Sequence, residues 1–281
     1  MPYADVVDLA LYHPEHGFYS SGGQAGRRGD FITSPEVGPL FGHLEQRAKH
    51  PEAVLSLDEL PPDLIAEGIV GVVIANELLD NLAFPPMQHV DGSPASAWVA
   101  MDGDALKQVF VHSFRPYRSE TVYKSWVDQA EASGFVSWVL GSLLGRGRLI
   151  VIDYARLRGD EVEVRTFAEH GVAGDPLSQL GTKDITVDVD LEQLQAVVGA
   201  AGRIITQAEW LTLHGIDELV EEGRRIWHES AGVGDLAALK ARSRVREAEA
   251  LVEPTGLGGF LVAEWVVGSS TTVGSKDHSV L

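Results

Sequence analysis

The most constraining feature of the chain is an uninterrupted apolar run, "GIVGVVIAN" at 68–76, which ends abruptly in "NELLDNL". It is far too short to span a bilayer, and it lacks the alternation of a helix with one wet face. A run that is apolar at every position suits a strand covered on both faces, as in a parallel sheet. "RLIVIDYA" at 148–155 has the same character and also ends on a carboxylate. Ahead of it, "KSWVDQAEASGFVSWVLGSLL" reads as an amphipathic helix, so helix and strand alternate as an α/β fold requires. "AWVAMDGDALKQVFVH" predicts a hairpin turning on Asp-Gly. The helix "DLEQLQAVVGAAG", the strand "RIITQ" and two charged helices through 209–250 follow. A late strand, "GGFLVAEWVVG", is expected to join antiparallel near an edge of the sheet. The reading is one α/β domain over 1–267 with a mostly parallel sheet and irregular N-terminal and insert segments. The polar Ser/Gly/Thr stretch 268–281 is expected to be a flexible tail.

Composition narrows the classes of partner. Forty-one acidic against twenty-two basic side chains give a net charge of −19 over 281 residues, a field that repels phosphates. Nucleic acid and anionic membranes are therefore poor partners, and cationic ligands are favoured. The chain has no cysteine, which removes disulfides, thiolate metal sites and cysteine nucleophiles, and fits a reducing cytoplasm. The opening "MPYADVVDLALYHPEHGFY" carries acids and no Arg, unlike a secretory or transit peptide. The expected location is cytoplasmic.

In an open α/β sheet, ligands gather outside the carboxyl ends of the strands. Asn76, Glu77 and Asp80 of "NELLD" fall there, and so do Asp153 and Tyr154. Each has a plainer reading. Asn76 suits a helix N-cap, Asp80 a first-turn acid, and Asp153 a cap or turn. If a helix begins at this point, Glu77 and Asp80 are neighbours on it. A third polar cluster, "GRRGDFITSPEVGPLFG" at 26–42, has no hydrophobic period and is rich in acceptors and hydroxyls; its Ser-Pro-Glu could equally cap a helix. His13 and His16 form an H-x-x-H with no third ligand in view, and loop packing is the simpler role for them than a metal site. "KARSRVR" at 240–246 alternates with acids and reads as one face of a solvated helix.

"YHPEHGFY", "GDFITSPEVGPLFG", "ANELLDNLAF", "LIVIDYA", "GDPLSQLGTKDIT" and "TQAEWL" occur in one order, and together they closely resemble the MidA-type family of S-adenosylmethionine-dependent methyltransferases. "GIDELVEEGRRIWHE" and "ARSRVREAEALVEPTGLGGFLVAEW" look most like its actinobacterial branch. The resemblance implies a Rossmann-like class I methyltransferase fold with S-adenosyl-L-methionine as cofactor. It implies a protein substrate, with arginine as the methylated side chain, and leaves homodimerisation open. It places Gly29, Asp30, Thr33, Ser34 and Glu36, with Asn76, at the cofactor. Glu77, Asp80 and Asn76 become the catalytic candidates. Asp153, Tyr154, Asp175, Asp184 and Thr186 become the substrate-side candidates, and no metal is implied.

One expected part is absent from the sequence. The Gly-rich turn of this fold should follow a first core strand and open a helix. "SGGQAGRRG", "LLGRGRL" and "GLGGF" each lack strand before and helix after. Only eleven residues separate Gly42 from "VLSLDELP", too few for a βαβ unit of about thirty residues. The first βα units are therefore expected to be missing between 42 and 55, by disorder, by deletion or by natural loss. Disorder fits best, because both flanks look like an intact enzyme, and a chain break is then expected between 42 and 55. The rival to an enzyme is a methyltransferase-like module that docks or helps assemble a partner protein.

Overall fold

The computed structural model describes residues 1–21, 40–41, 62–113, 124–157, 164–168, 171–230 and 236–268. In chain order the elements begin with helix α1 (Tyr3–Tyr12), helix α2 (Pro62–Glu67) and strand β1 (Ile69–Asn76). Strands β2 (Pro86–Val90), β3 (Ser93–Asp102), β4 (Ala105–His112) and β5 (Ser125–Val127) follow. Next come α3 (Ala130–Trp138), β6 (Leu144–Asp153), β7 (Ala155–Arg156), β8 (Val164–Ala168), β9 (Gly171–Val172), β10 (Asp184–Val187) and β11 (Val189–Asp190). The described chain closes with α4 (Leu191–Val198), β12 (Arg203–Thr206), α5 (Gln207–Leu213), α6 (Ile216–Ser230), α7 (Leu236–Val252) and β13 (Leu261–Val267).

The central sheet has the order β1-β6-β13-β12. β1 and β6 run parallel, β13 runs antiparallel to β6, and β12 runs antiparallel to β13. Three of its strands therefore share one direction, and the two apolar runs are neighbours, as their composition predicts. The late strand β13 joins antiparallel near an edge, as expected, with only β12 outside it in the described sheet.

β6 explains why these runs are apolar at every position. Ile150 and Ile152 pack with Trp210, Leu211, Ile216 and Leu219, so α5 and α6 cover one face. Leu149 and Val151 pack with Ala132, Val136, Leu191 and Leu194, so α3 and α4 cover the other. Alternate side chains enter two different cores, which leaves no wet face for a polar residue.

β6 starts earlier than its apolar stretch, at Leu144, so "LLGRGRL" belongs partly to the strand and is not a loop before it. Gly147 makes this possible. Its φ is +142°, and a Cβ there would lie 1.7 Å from Gly71 O on β1. Only glycine lets the two backbones pass this closely.

Other expectations need correction. "KSWVDQAEASGFVSWVLGSLL" is not one helix: Ser125–Val127 pairs with β2, and the helical part runs from Ala130 to Trp138 and on through a π turn, Val139–Leu143. Strand pairing to β2 satisfies the backbone that a longer helix would have used. The region 207–252 holds three helices where two were expected, because Gly215, at φ +86°, breaks the first from the second. The hairpin of β3 and β4 forms as predicted, with Asp102 opposite Ala105. α4 is capped by Asp190, which accepts from the backbone N–H groups of Glu192 and Gln193. Asp190 is buried and its carboxyl pKa is raised, first by that burial.

One buried polar pair crosses the helix–sheet interface: Trp210 Nε1 donates to Glu264 Oε1 at 2.9 Å. Trp210→Phe keeps the ring but leaves the Glu264 oxygen without that donor. Chemical denaturation is expected to show a loss of about 1–3 kcal/mol. A loss below a few tenths would mean that another donor replaces the indole.

Outside the central sheet, β4-β3-β2-β5 form an antiparallel sheet and β10-β8-β9 a second one, while β7 and β11 pair in parallel. α1 packs on β3 and β10, burying Tyr3, Val6, Val7 and Leu11 with Phe84, Ala97 and Ile185. No described helix is long and apolar enough to cross a membrane.

Candidate active site

β1 ends on Asn76, and the chain leaves the sheet by an unusual step. Glu77 has φ +48°, a conformation that a side chain with a Cβ rarely adopts. Its N–H still reaches Ile152 O at 2.8 Å, so the turn begins with the last rung of the β1–β6 ladder. A single 3-10 turn, Leu79–Asn81, follows in place of an α-helix. The plainer reading of Asn76 as the N-cap of a helix starting here therefore does not hold. Asn76 Nδ2 instead donates to Glu77 Oε1 at 3.0 Å.

Asp153 ends β6 beside this turn and is wholly buried. Its Oδ2 accepts from Leu79 N–H at 2.9 Å, which ties the two strand ends together. Asp80 is buried too, and its Oδ2 accepts from Thr186 Oγ1 of β10 at 2.7 Å. Asn81 Nδ2 donates to Asp184 Oδ1 at 3.0 Å and to Ile185 O at 3.3 Å. From the other side, the Tyr19 hydroxyl lies 3.0 Å from Asp184 Oδ1 and 3.2 Å from Asn81 Oδ1. Tyr12 donates to Asn81 O at 3.3 Å and stacks on Tyr19 with ring centroids 5.5 Å apart. The carboxyl ends of β1 and β6, β10 and the loop after α1 thus converge on one acidic cluster.

Its electrostatics follow from burial. Water is excluded, so ionising a carboxyl is costly. Burial first, then the nearby Asp184, push Asp80 up to about 7, although the Thr186 hydroxyl and Arg165 pull the other way. Asp153 rises well above the usual carboxylate range, first by burial and then by the charge of Asp80. Tyr12 and Tyr19 are both raised, again chiefly by burial.

Three buried oxygens here have no hydrogen-bond partner: Asn76 Oδ1, Asp80 Oδ1 and Asp153 Oδ1. Buried acceptors left unpaired cost free energy, and three together at strand ends mark a place for a donor-rich or cationic group.

The candidates read from sequence divide as follows. Asn76, Glu77, Asp80, Asp153, Asp184 and Thr186 meet at this cluster. Tyr154 stands at its rim, half-exposed, with its ring 3.9 Å from Phe260 and the Arg165 guanidinium 5.3 Å over it. Its hydroxyl pKa is raised, mainly by burial of the ring and then by the charge of Glu77. Asp175 does not join; it is exposed and accepts from Leu177 N–H at 3.0 Å, closing a turn. Gly29, Asp30, Thr33, Ser34 and Glu36 lie outside the described residues, as does the break expected between 42 and 55. His13 Nδ1 accepts the backbone N–H groups of Glu15 and His16, each at 3.2 Å, and so closes a loop turn. Arg244 in "KARSRVR" is not merely solvated: it bonds Glu222 at 3.0 Å and ties α7 to α6.

Sequence reasoning missed Tyr12, Tyr19, Asn81 and Arg165. A signal was available for the first two, because "YHPEHGFY" begins and ends on these tyrosines. Gly181 shows how that segment is held: a Cβ there would meet His16 O at 2.1 Å, so the 174–183 loop sits directly on it.

An acidic cluster at the carboxyl ends of the parallel strands lies where open α/β sheets bind their ligands. The chain belongs to the family described as "Putative S-adenosyl-L-methionine-dependent methyltransferase", which matches residues 42–208, more than half of its length. S-adenosylmethionine is the methyl donor of that family. A Drosophila melanogaster relative, named "Protein arginine methyltransferase NDUFAF7 homolog, mitochondrial", is 43% identical over 44 residues. That match spans 16% of this chain and 10% of the relative. A Burkholderia thailandensis protein, described as a candidate methyl transferase and crystallised with S-adenosyl-homocysteine, superposes with a TM-score of 0.75 at 20% identity. The superposition covers 95% of this chain and 87% of the other. A second structure, a native crystal form of an uncharacterised protein of the same superfamily and organism, gives 0.71 at 20% identity over the same shares. At this identity the likeness concerns the fold.

Proposed function

We propose that this protein transfers methyl groups from S-adenosylmethionine to an arginine guanidinium of a protein substrate, on a Rossmann-like class I scaffold. The observation that carries the proposal is the trio of unpaired buried acceptors, Asn76 Oδ1, Asp80 Oδ1 and Asp153 Oδ1. A guanidinium is a planar fork of N–H donors without an acceptor, and it matches such a trio in number and in charge. The name of the Drosophila relative supports the choice of arginine. The S-adenosyl-homocysteine in the Burkholderia crystal supports the cofactor.

The same acceptors fit the cationic end of the cofactor, whose sulfonium and ammonium also favour nearby negative charge. Asn76 at the end of β1 would hold it, and when bound it supplies an electrophilic methyl group. The residues of this chain then do the positioning. Glu77 is set by its left-handed backbone, at a cost on the order of 1–3 kcal/mol, and strain of that size in a family enzyme points to function. Its carboxylate, steadied by Asn76 Nδ2, orients the guanidinium. Tyr19, half-buried and bonded to Asp184, shields this side of the site from water and strengthens these contacts.

Glu77→Gln keeps size and removes charge. Transfer of labelled methyl groups to an arginine-bearing protein is expected to fall at least about tenfold, or roughly 1.4 kcal/mol at the barrier. Thermal stability is expected to change little, since the side chain is only half-buried. Unchanged transfer in that variant would remove Glu77 from the mechanism.

A further inference from the structure

Asp80 is placed for more than orientation. Its carboxyl group is buried, Thr186 Oγ1 holds one oxygen at 2.7 Å, and the other oxygen has no partner. The groups that bear on it come from every surrounding element. They are Asp153 from β6, Asp184 from β10, Arg165 from β8, Tyr12 from α1, Tyr19 from the following loop and Tyr154 after β6. Asp153 differs in one respect: the backbone N–H of Leu79 pins it to the turn, and the charges of both Asp80 and Glu77 press on it.

We propose that Asp80 is the proton acceptor of the methyl transfer, its free Oδ1 receiving the proton that the attacking guanidinium nitrogen must lose. This rests on the guanidinium reading above. The transfer forms an N–C bond while the methyl C–S bond breaks, and the electron pair of that bond stays on sulfur, which becomes a neutral thioether. The nitrogen, briefly four-bonded, is strongly acidic, and one of its protons passes to Oδ1. Two cations and a carboxylate thus become a methylated guanidinium, a thioether and a carboxylic acid, with atoms and charge conserved. No strong base is needed, because the proton leaves only as the new bond makes it acidic. A carboxyl poised near neutrality suits this role, being ionised when a cation enters and able to hold a proton afterwards.

The role has a consequence that does not depend on turnover. An arriving guanidinium favours the ionised form of Asp80, so binding must expel the proton that the empty site carries. N-acetyl-arginine amide titrated calorimetrically into the full chain at pH 7, in phosphate and in Tris, reads that proton from the difference in heat. The wild-type protein is expected to release about half a proton per bound probe, the share carried by a group titrating near pH 7. Asp80→Asn is expected to bind the probe with that release lost. Asp184→Asn removes a neighbouring negative charge, so release is expected to persist with its midpoint moved to lower pH. This second variant tests the idea even where Asp80→Asn fails to fold. Probe binding without proton release in the wild type, or equal release in Asp80→Asn, overturns the proton-acceptor role and leaves the guanidinium reading standing. Absence of any probe binding by the wild type overturns that reading, and this role with it.

Discussion

Asp80→Asn is expected to stabilise the protein at pH 8 and to leave its stability almost unchanged near pH 4. The folded-state carboxyl titrates at about 7, against 3.8 for an unperturbed Asp. A pKa raised on folding means that the folded state holds a proton the unfolded chain has already released. The stabilisation from that proton is complete below the unfolded value and is lost as pH rises through the folded one. The window is therefore about pH 4 to 7, and asparagine, which does not titrate, escapes the loss. At about 1.4 kcal/mol per unit, the difference between variant and wild type should grow to as much as about 4 kcal/mol. Urea denaturation of both proteins at several pH values measures it. Asp153 is raised in part by the charge of Asp80, so in the variant its own shift shrinks and adds to the difference in the same direction. A difference that stays flat from pH 4 to 8 would mean that Asp80 is solvated and is no special carboxyl.

Gly147→Ala is the other large expected effect, and its cause is steric. The added methyl carbon would sit 1.7 Å from Gly71 O, and the offending atom is backbone in the adjacent strand. No rotamer change can relieve it, so β1 must separate from β6 or the strands must slip. Either response opens two cores at once, since β6 packs helices on both faces. A loss of more than about 3 kcal/mol is expected, visible as a drop in Tm or as insoluble protein. The same change should disorganise the site, because Leu79 N–H and Asp153 Oδ2 stay paired only while β1 and β6 end together. An alanine variant with wild-type stability would show that the strands are farther apart than the register of Gly71 and Gly147 indicates.

The pairing of the two apolar strands was legible because its cause is local, although β1 lies at the edge of the described sheet and not at its centre. A strand buried on both faces must be apolar at each position, as "RLIVIDYA" is; "GIVGVVIAN" has the same composition but is only partly covered, with Val70 68% exposed. The polar residues that end them were legible for the same reason: a buried strand can change character only where it leaves the core. Whether a helix follows β1 was not legible, because nothing in "NELLDN" announces a left-handed Glu77. Its conformation is imposed by the ladder bond to Ile152 O, which belongs to a strand some seventy residues away in sequence. Ser125–Val127 misled for a related reason, since its pairing partner in β2 decides that it is a strand.

The sequence by itself determined the alternation of helix and strand, the two paired apolar strands, the polar ends where chemistry gathers, and the family likeness carried by its motifs. These depend on residues near one another along the chain. Only the tertiary structure decided which polar residues meet. Tyr19 reaches Asp184 across 165 positions, and Asn81 reaches it across 103. Only the structure, too, decided that Asp80 is a near-neutral acid, because a carboxyl pKa is set by how much water and charge surround it. Packing removes that water, and packing is a property of the whole fold.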